Sequence, residues 1–262
     1  MAARALITGA TGLLGHHVLA AWDVPGLDPV PAPIDGPGWD LLEPEPPTRM
    51  LDRVRPEVVV HLAWAASGTP DYRISPDNPR WVEATVELAN ACLDRGIRFL
   101  GTGTVVESET PDPADLYATA KHEIRQRLAA DIKGGRIAWI QPFYVFDPEV
   151  GRPAVVADTL RARAAGGSVA LRSPHSAHDF VHAADVGRAV VTCVRADLRG
   201  QLPVGSGRLR EVCTVVTALG VPWGSAETGG TTVSHAERTA DSRRLRAAGW
   251  RPTSTEEFFG DV

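Results

Sequence analysis

Apolar runs and segments of helical period alternate along the first 140 residues. Residues 4–8 (Arg-Ala-Leu-Ile-Thr) predict a buried strand, the glycines after them a turn, and residues 16–22 a helix. Residues 23–47 are crowded with Pro and Gly and leave room only for a short second strand near 29–32. Residues 51–55 read as the end of a helix stopped before Pro56. The β-branched run 57–62 (Glu-Val-Val-Val-His-Leu) suits a strand covered on both faces of a parallel sheet. Residues 81–95 have helical periodicity with Gly96 placed as a C-terminal cap. A strand at 98–101, a helix at 116–130 and a strand at 136–140 follow. This alternation with short connections predicts an α/β fold, a Rossmann-type doubly wound parallel sheet with ligands beyond the carboxyl ends of its strands.

From about Asp147 the alternation loosens. A helix is expected at 155–165, a break at Gly166-Gly167, a helix at 185–195 and a last short strand at 201–204. Helices at 212–219 and 241–248 complete a small lobe, and no internal repeat is present. The organisation expected is a Rossmann domain over 1–147, with 179–207 returning to it. Residues 148–178 and 208–262 then form a small C-terminal substrate-binding lobe.

Composition narrows the class. The 262 residues, 44% hydrophobic and 23% charged, fit one large α/β domain with an appendage. A formal net charge of −5 supplies no broad basic field, so nucleic acid is not expected as a partner. The N-terminus is too short for a signal peptide, and no apolar stretch approaches the roughly 20 residues that span a bilayer. Cys92, Cys193 and Cys213 are scattered and odd in number, which fits reduced thiols and a cytoplasmic location. The eight histidines have no HExxH or comparable spacing, so no metal site is expected.

Two constellations carry chemistry. Gly9, Gly12 and Gly15 are spaced G-x-x-G-x-x-G between a strand and a helix. The first turns the chain tightly, the second lets backbone approach a pyrophosphate, and the third packs helix on strand. With Thr11, Leu13 and Leu14 they present backbone N–H groups to an anion at a helix N-terminus. The acid that grips a ribose 2′-hydroxyl in NAD sites belongs near Ala32–Pro33, where there is none, and Asp35 is the nearest. No arginine replaces it, although His16 and His17 are nearby. NADP(H) is therefore favoured, with NAD(H) the alternative. Tyr117 and Lys121, four apart, share one face of a helix. Lys121 is expected to lower the phenol pKa and hold a cofactor ribose, Tyr117 to protonate a developing alkoxide, and Thr102 to align the same oxygen.

Together these residues resemble the extended short-chain dehydrogenase/reductase family, also called the NAD-dependent epimerase/dehydratase family, over nearly the whole chain. The landmarks are Thr8-Gly-Ala-Thr-Gly-Leu-Leu-Gly15, Asp40-Leu41, His61-Leu62-Ala63, Thr102, Tyr117-Ala-Thr-Ala-Lys121, Asp179-Phe180-Val181-His182 and Gly249-Trp250-Arg251-Pro252. Trp39-Asp40-Leu41-Leu42 after a short proline-rich strand looks like the sugar-reductase side of the family. The resemblance implies that Asp40 and Leu41 meet the adenine, that Leu62 and Ala63 line the cofactor cleft, and that Pro142 and Tyr144 approach the nicotinamide or the substrate.

Most characterised relatives act on nucleotide-diphosphate sugars, and this chain departs at their anchors. His178 stands where the family has a phosphate-binding arginine, and Tyr144 where it has an asparagine. The tract from Gly224 to Val233 lacks the second expected arginine, and Trp81 replaces an asparagine of the proton relay, with Asn78 three residues earlier. Arg152, Arg161, Arg163 and Arg172 are candidates to compensate. A diphosphate needs charge-assisted donors, and each one lost costs about 1.5–3 kcal/mol. Trp39, Trp64, Trp81 and Tyr144 suggest an aromatic-friendly cleft instead, and Trp64, Trp81, Tyr144 and His178 are the substrate-binding candidates. The expected activity is an NAD(P)H-dependent ketoreductase of secondary metabolism, such as antibiotic biosynthesis, acting on a small-molecule ketone, polyketide or aromatic. The alternative is a nucleotide-sugar 4-ketoreductase or epimerase of deoxysugar biosynthesis, and a cofactor-binding scaffold ranks third. A monomer or homodimer is expected, without membrane partners.

Overall fold

The computed structural model describes residues 3–32, 40–42, 48–66, 71–108, 111–149, 154–226 and 238–260. Pro33, Asp35, Trp39 and Arg152 lie outside them. The first half contains β1 (Ala3–Thr8), α1 (Leu13–Ala20), β2 (Leu27–Pro31), α2 (Thr48–Val54), β3 (Val58–His61), α3 (Asn78–Asp94), β4 (Arg98–Thr102), α4 (Leu116–Arg127), α5 (Ala129–Lys133) and β5 (Ile137–Pro142). After it come β6 (Tyr144–Phe146), α6 (Val155–Ala164), β7 (Val169–Leu171), β8 (Ala177–His178), β9 (Phe180–His182), α7 (Ala183–Arg195) and β10 (Gly200–Val204). The chain closes with β11 (Arg210–Glu211), α8 (Val212–Ala218), β12 (Trp223–Ser225), α9 (Arg243–Ala247) and α10 (Thr253–Phe259). Short 3-10 turns occupy Tyr72–Ile74 and Val105–Ser108.

Six strands form one sheet in the order β10-β5-β4-β3-β1-β2, and every adjacent pair is parallel. The strand order reverses between β1 and β3, where ligand crevices form in such sheets. Alternation along each strand feeds two cores. Ala5, Ile7, Val58, Val60 and Ile140 pack under α1 and α7, whereas Leu6, Val59, Phe99, Ile137 and Trp139 pack under α2, α3 and α4. The sheet is thus covered on both faces, as its unbroken apolar strands require.

Several boundaries differ from the periodicity reading. Helix α1 starts at Leu13, directly after the glycines, because Gly12 serves as its N-cap in extended conformation. The helix expected over 116–130 breaks at Leu128 into α4 and α5. Helix α10 and the short strands of the C-terminal lobe escaped prediction, because segments of two to seven residues carry too few positions to define a period. Residues 200–204 do return to the sheet, pairing with β5 as its edge. No helix among the described residues is long and apolar enough to cross a membrane.

Candidate active site

The glycine loop joins β1 to α1 and lies against the end of β3. Gly9 adopts a φ of +69°, and a Cβ there would sit 2.6 Å from the Ala63 nitrogen. A Cβ on Gly15 would sit 2.2 Å from the Gly9 carbonyl oxygen. Both positions therefore demand glycine: one for backbone turn and approach, one for the helix to seat on the loop. No side chain caps α1 at Gly12, so its first N–H groups face outward as an anion cradle. Leu62 N–H donates to the Thr8 carbonyl over 3.1 Å, fixing the β3 end against the loop.

A buried polar chain locks this junction. Ala63 N–H donates to Thr8 Oγ1 over 3.4 Å, Thr8 Oγ1 lies 2.7 Å from His61 Nδ1, and His61 Nε2 lies 3.1 Å from Thr85 Oγ1. Burial, then the Lys121 charge, lowers the His61 pKa to about 3, so the imidazole is neutral, with one nitrogen donating and the other accepting. His17, considered for a 2′-phosphate, is instead engaged by Asp147, whose Oδ2 lies 2.7 Å from Nε2. His16 remains exposed on the first turns of α1. Asp40 Oδ1 accepts from Leu42 N–H at 2.9 Å and Leu41 packs against the α3 side of the core.

Tyr117 and Lys121 lie on α4, whose N-cap Asp115 accepts from Ala118 N–H at 3.0 Å. The Lys121 ammonium is buried, donates to the Thr102 carbonyl over 2.9 Å and sits 3.8 Å above the Trp64 ring. Desolvation drives its pKa down while the nearby Glu107 charge opposes the fall. The Tyr117 ring packs edge-on against Trp64 at 5.7 Å and Tyr72 at 5.1 Å. Trp64 in turn stacks on Trp81 at 5.6 Å and donates its indole N–H to Asn78 Oδ1 over 3.2 Å. Trp81 is 8% exposed, and its own indole N–H has no partner.

Thr102 Oγ1 is buried without a partner among the described residues, and the Thr102 carbonyl accepts from Lys121. One expectation needs correction: Lys121 does not depress the phenol pKa in this arrangement. Burial first, then Tyr72, pushes it above the ordinary tyrosine value, because the ammonium is drawn to Thr102 O and the Trp64 face, 6.0 Å from the phenol ring.

Sequence reading also missed Glu107. It is fully buried, with Oε1 accepting from Trp139 Nε1 at 2.8 Å and Gln141 Nε2 at 3.1 Å, and Oε2 accepting from Thr104 N–H at 3.0 Å. Desolvation raises its pKa against those bonds and against the Lys121 charge. Gly103 leaves it room, since a Cβ there would sit 2.2 Å from Oε2. Glu107 thus holds the 103–107 turn that directly follows Thr102.

Tyr144 on β6 stacks on His178 of β8 with ring centroids 3.8 Å apart. Tyr117 and Tyr144 border one small apolar cluster of Val105, Val106, Ala118, Phe143 and Ala240, and Pro142 ends β5 beside it. Buried Arg210 is the register partner of His178, sits 4.6 Å over the Phe259 ring and donates to Ser206 Oγ over 3.2 Å. Arg238 lies 6.0 Å from the Phe143 ring. Arg161, Arg163 and Arg172 are exposed on the lobe.

The residues fit a dinucleotide at the loop: two glycines where a Cβ would clash, an uncapped helix N-terminus, and a phenol and ammonium packed on Trp64, the neighbour of the Ala63 that Gly9 meets. Comparison with curated protein sequences gives no match. Among solved structures, the UDP-glucose 4-epimerase of Thermus thermophilus in complex with NAD is 21% identical with a TM-score of 0.69, covering 99% of this chain and 100% of that one. The RMD protein of Pseudomonas aeruginosa complexed with NADPH is 23% identical with a TM-score of 0.71, over 95% and 93% of the two chains. A UDP-N-acetylglucosamine 4-epimerase from Methanobrevibacter ruminantium in complex with UDP-N-acetylmuramic acid is 19% identical with a TM-score of 0.73, over 98% and 95%. These likenesses establish the shared fold. A family model matches residues 5–204, well over half of the sequence, and by that match the chain belongs to the NAD-dependent epimerase/dehydratase family.

Proposed function

We propose that this NAD(P)-dependent enzyme reduces the ketone of a small molecule to an alcohol, with Tyr117 as the proton donor. The observation that carries the reading is the packing of the Tyr117 phenol and the Lys121 ammonium on one Trp64 ring, with Lys121 donating to the Thr102 carbonyl at the carboxyl end of β4 and the Thr102 hydroxyl buried there without a partner. The bound nicotinamide supplies the hydride. Tyr117 donates the proton to the carbonyl oxygen as negative charge develops there. Thr102, whose buried hydroxyl has no protein partner, aligns the same oxygen, while Glu107 fixes the backbone of the turn that follows it. Lys121, held on the Thr102 carbonyl, supplies a donor for a ribose. Gly9, Thr11, Gly12, Leu13, Leu14 and Gly15 hold the pyrophosphate, with Asp40, Leu41, Leu62 and Ala63 along the rest of the cleft. NADP(H) is the preferred form, because β2 runs into Ala32 without an acid to meet a 2′-hydroxyl.

For the substrate, the stacked Tyr144–His178 pair favours a planar, weakly charged ketone of the polyketide or aromatic type. A second reading, reduction of a nucleotide 4-ketosugar, is favoured by Arg210 and Arg238, which bring guanidinium groups into the neighbourhood of His178 and Phe143 from positions the sequence pattern did not suggest. It accords with the UDP sugar substrates in the names of the similar epimerases. Two measurements separate the readings: NADPH oxidation with a panel of aromatic ketones, and thermal stabilisation of the NADP⁺-loaded protein by UDP, dTDP and GDP. Turnover of ketones without a nucleotide-induced shift is expected. A shift of several degrees with a nucleoside diphosphate, and no ketone turnover, would overturn the first reading in favour of the second.

A further inference from the structure

His175, Glu211 and Cys213 form a compact donor cluster in the C-terminal lobe. His175 Nδ1 lies 3.4 Å from Glu211 Oε2 and 3.8 Å from Cys213 Sγ, and Sγ lies 3.4 Å from Oε2. Zinc binds nitrogen and oxygen at about 2.0–2.2 Å and thiolate sulfur at about 2.3 Å, so tetrahedral geometry separates neighbouring ligand atoms by about 3.3–3.7 Å. The triangle already has almost those edges. We propose that this cluster is a binding site for a borderline-soft divalent cation of the zinc class, held by His175 Nδ1, Glu211 carboxylate and Cys213 thiolate.

The backbone prepares the triangle. Cys213 N–H donates to the Pro174 carbonyl over 2.8 Å and Val212 N–H to the Ser176 carbonyl over 3.0 Å, so both neighbours of His175 are pinned to the strand of chain that carries the other ligands. Directly beyond, Glu211 and Ala177 are register partners in the β8–β11 ladder. Trp223 packs edge-on against the imidazole at 6.4 Å. The ligand set is mixed sulfur, nitrogen and oxygen, which suits zinc, cobalt or nickel and disfavours magnesium and calcium. Cys213 is buried while the His175 side chain is 77% exposed, so the ion enters from solvent on the imidazole side. Binding forms Zn–S, Zn–N and Zn–O bonds and releases the thiol proton to solvent, with no change of oxidation state. A fourth position stays open to water or an added ligand. The ion clasps residues 174–176 to the start of α8, three residues from His178 in the cleft. Sequence spacing conceals the site, because 36 residues separate His175 from Glu211.

The test uses the full chain, stripped with chelator and titrated with Co(II), then with Zn(II) in competition. One equivalent of Co(II) should produce visible bands of tetrahedral cobalt and a near-ultraviolet thiolate-to-cobalt band, both removed by one equivalent of Zn(II). Cys213→Ser should abolish the near-ultraviolet band, and His175→Ala and Glu211→Gln should each weaken binding at least tenfold. Cys92 and Cys193 do not compete, since burial pushes both thiols up to about 12. His175→Ala touches an exposed side chain, so its metal-free melting temperature should equal the wild type's, whereas only the wild type should gain stability on adding Zn(II). Absence of a thiolate band at excess Co(II), or equal affinity in Cys213→Ser, His175→Ala and the wild type, would overturn the proposal.

Discussion

At the scale of the residue, the site turns on the Thr102 hydroxyl, buried without a partner at the end of β4. Thr102→Val keeps the carbonyl that Lys121 uses and removes only the hydroxyl. It should therefore reduce kcat by roughly a hundredfold, the size of effect seen when one donor to a developing oxyanion is removed; a loss below about threefold would refute the assignment. His61 makes a second prediction. Its native pKa of about 3 lies below the ordinary 6.5, so between these values the unfolded chain binds more protons than the folded one. Stability contributed by the neutral ring must then be lost as pH falls from about 6.5 toward 3, by at most about 1.4 kcal/mol per pH unit. Urea unfolding at several pH values should show that acid limb flattened in His61→Gln. Tyr117 and Lys121 were legible because helical spacing alone puts them on one face. Glu107 was not, because its importance lies in burial and in partners 32 and 34 residues away at Trp139 and Gln141.

At the scale of the element, the close approach of α1 to α7 holds the glycine loop in place. Gly187 on α7 makes this possible, since a Cβ there would lie 2.7 Å from the carbonyl carbon of His17. Backbone cannot yield as a flexible side chain does. Gly187→Ala should cost about 1–3 kcal/mol by overpacking. It should also raise the KM for NADPH several-fold, because displacement of α1 carries the anion cradle with it. An unchanged KM alongside the stability loss would mean that the loop is held from the sheet alone. The sheet strands were legible from their apolar runs, and so was the loop–helix junction. The lobe was less so: β8 and β11 have two residues each, and their pairing depends on contacts distant in sequence. Helix α10 packs Phe258 and Phe259 against the Phe146 ring, which no local pattern announces.

At the scale of the whole molecule, two buried carboxylates join the C-terminal segment to the body. Asp179 accepts from Ser206 N–H and Oγ–H, Gly207 N–H and Ala240 N–H at 2.6–3.0 Å, bonds that lower its pKa while burial raises it. Asp185 accepts from Thr255 N–H at 2.7 Å, Thr255 Oγ–H at 2.5 Å and Ser254 N–H at 3.2 Å, and pairs with Arg188. Asp185→Ala should cost about 3 kcal/mol, since it strands buried donors on α10 as well as removing the bonds. The midpoint of chemical unfolding measures this, and a loss below about 0.5 kcal/mol would show that α10 docks through its aromatic face alone. The arrangement also has a consequence for the order of synthesis. Ala240 follows Asp179 by 61 residues and Thr255 follows Asp185 by 70, so each acid is translated long before its most distant partner exists. Until then, among the described residues, Asp179 has only Ser206 and Gly207, and Asp185 only Arg188, and the six-stranded sheet assembles around an unfinished seam. The bonds from Ala240 and Thr255 close that seam last.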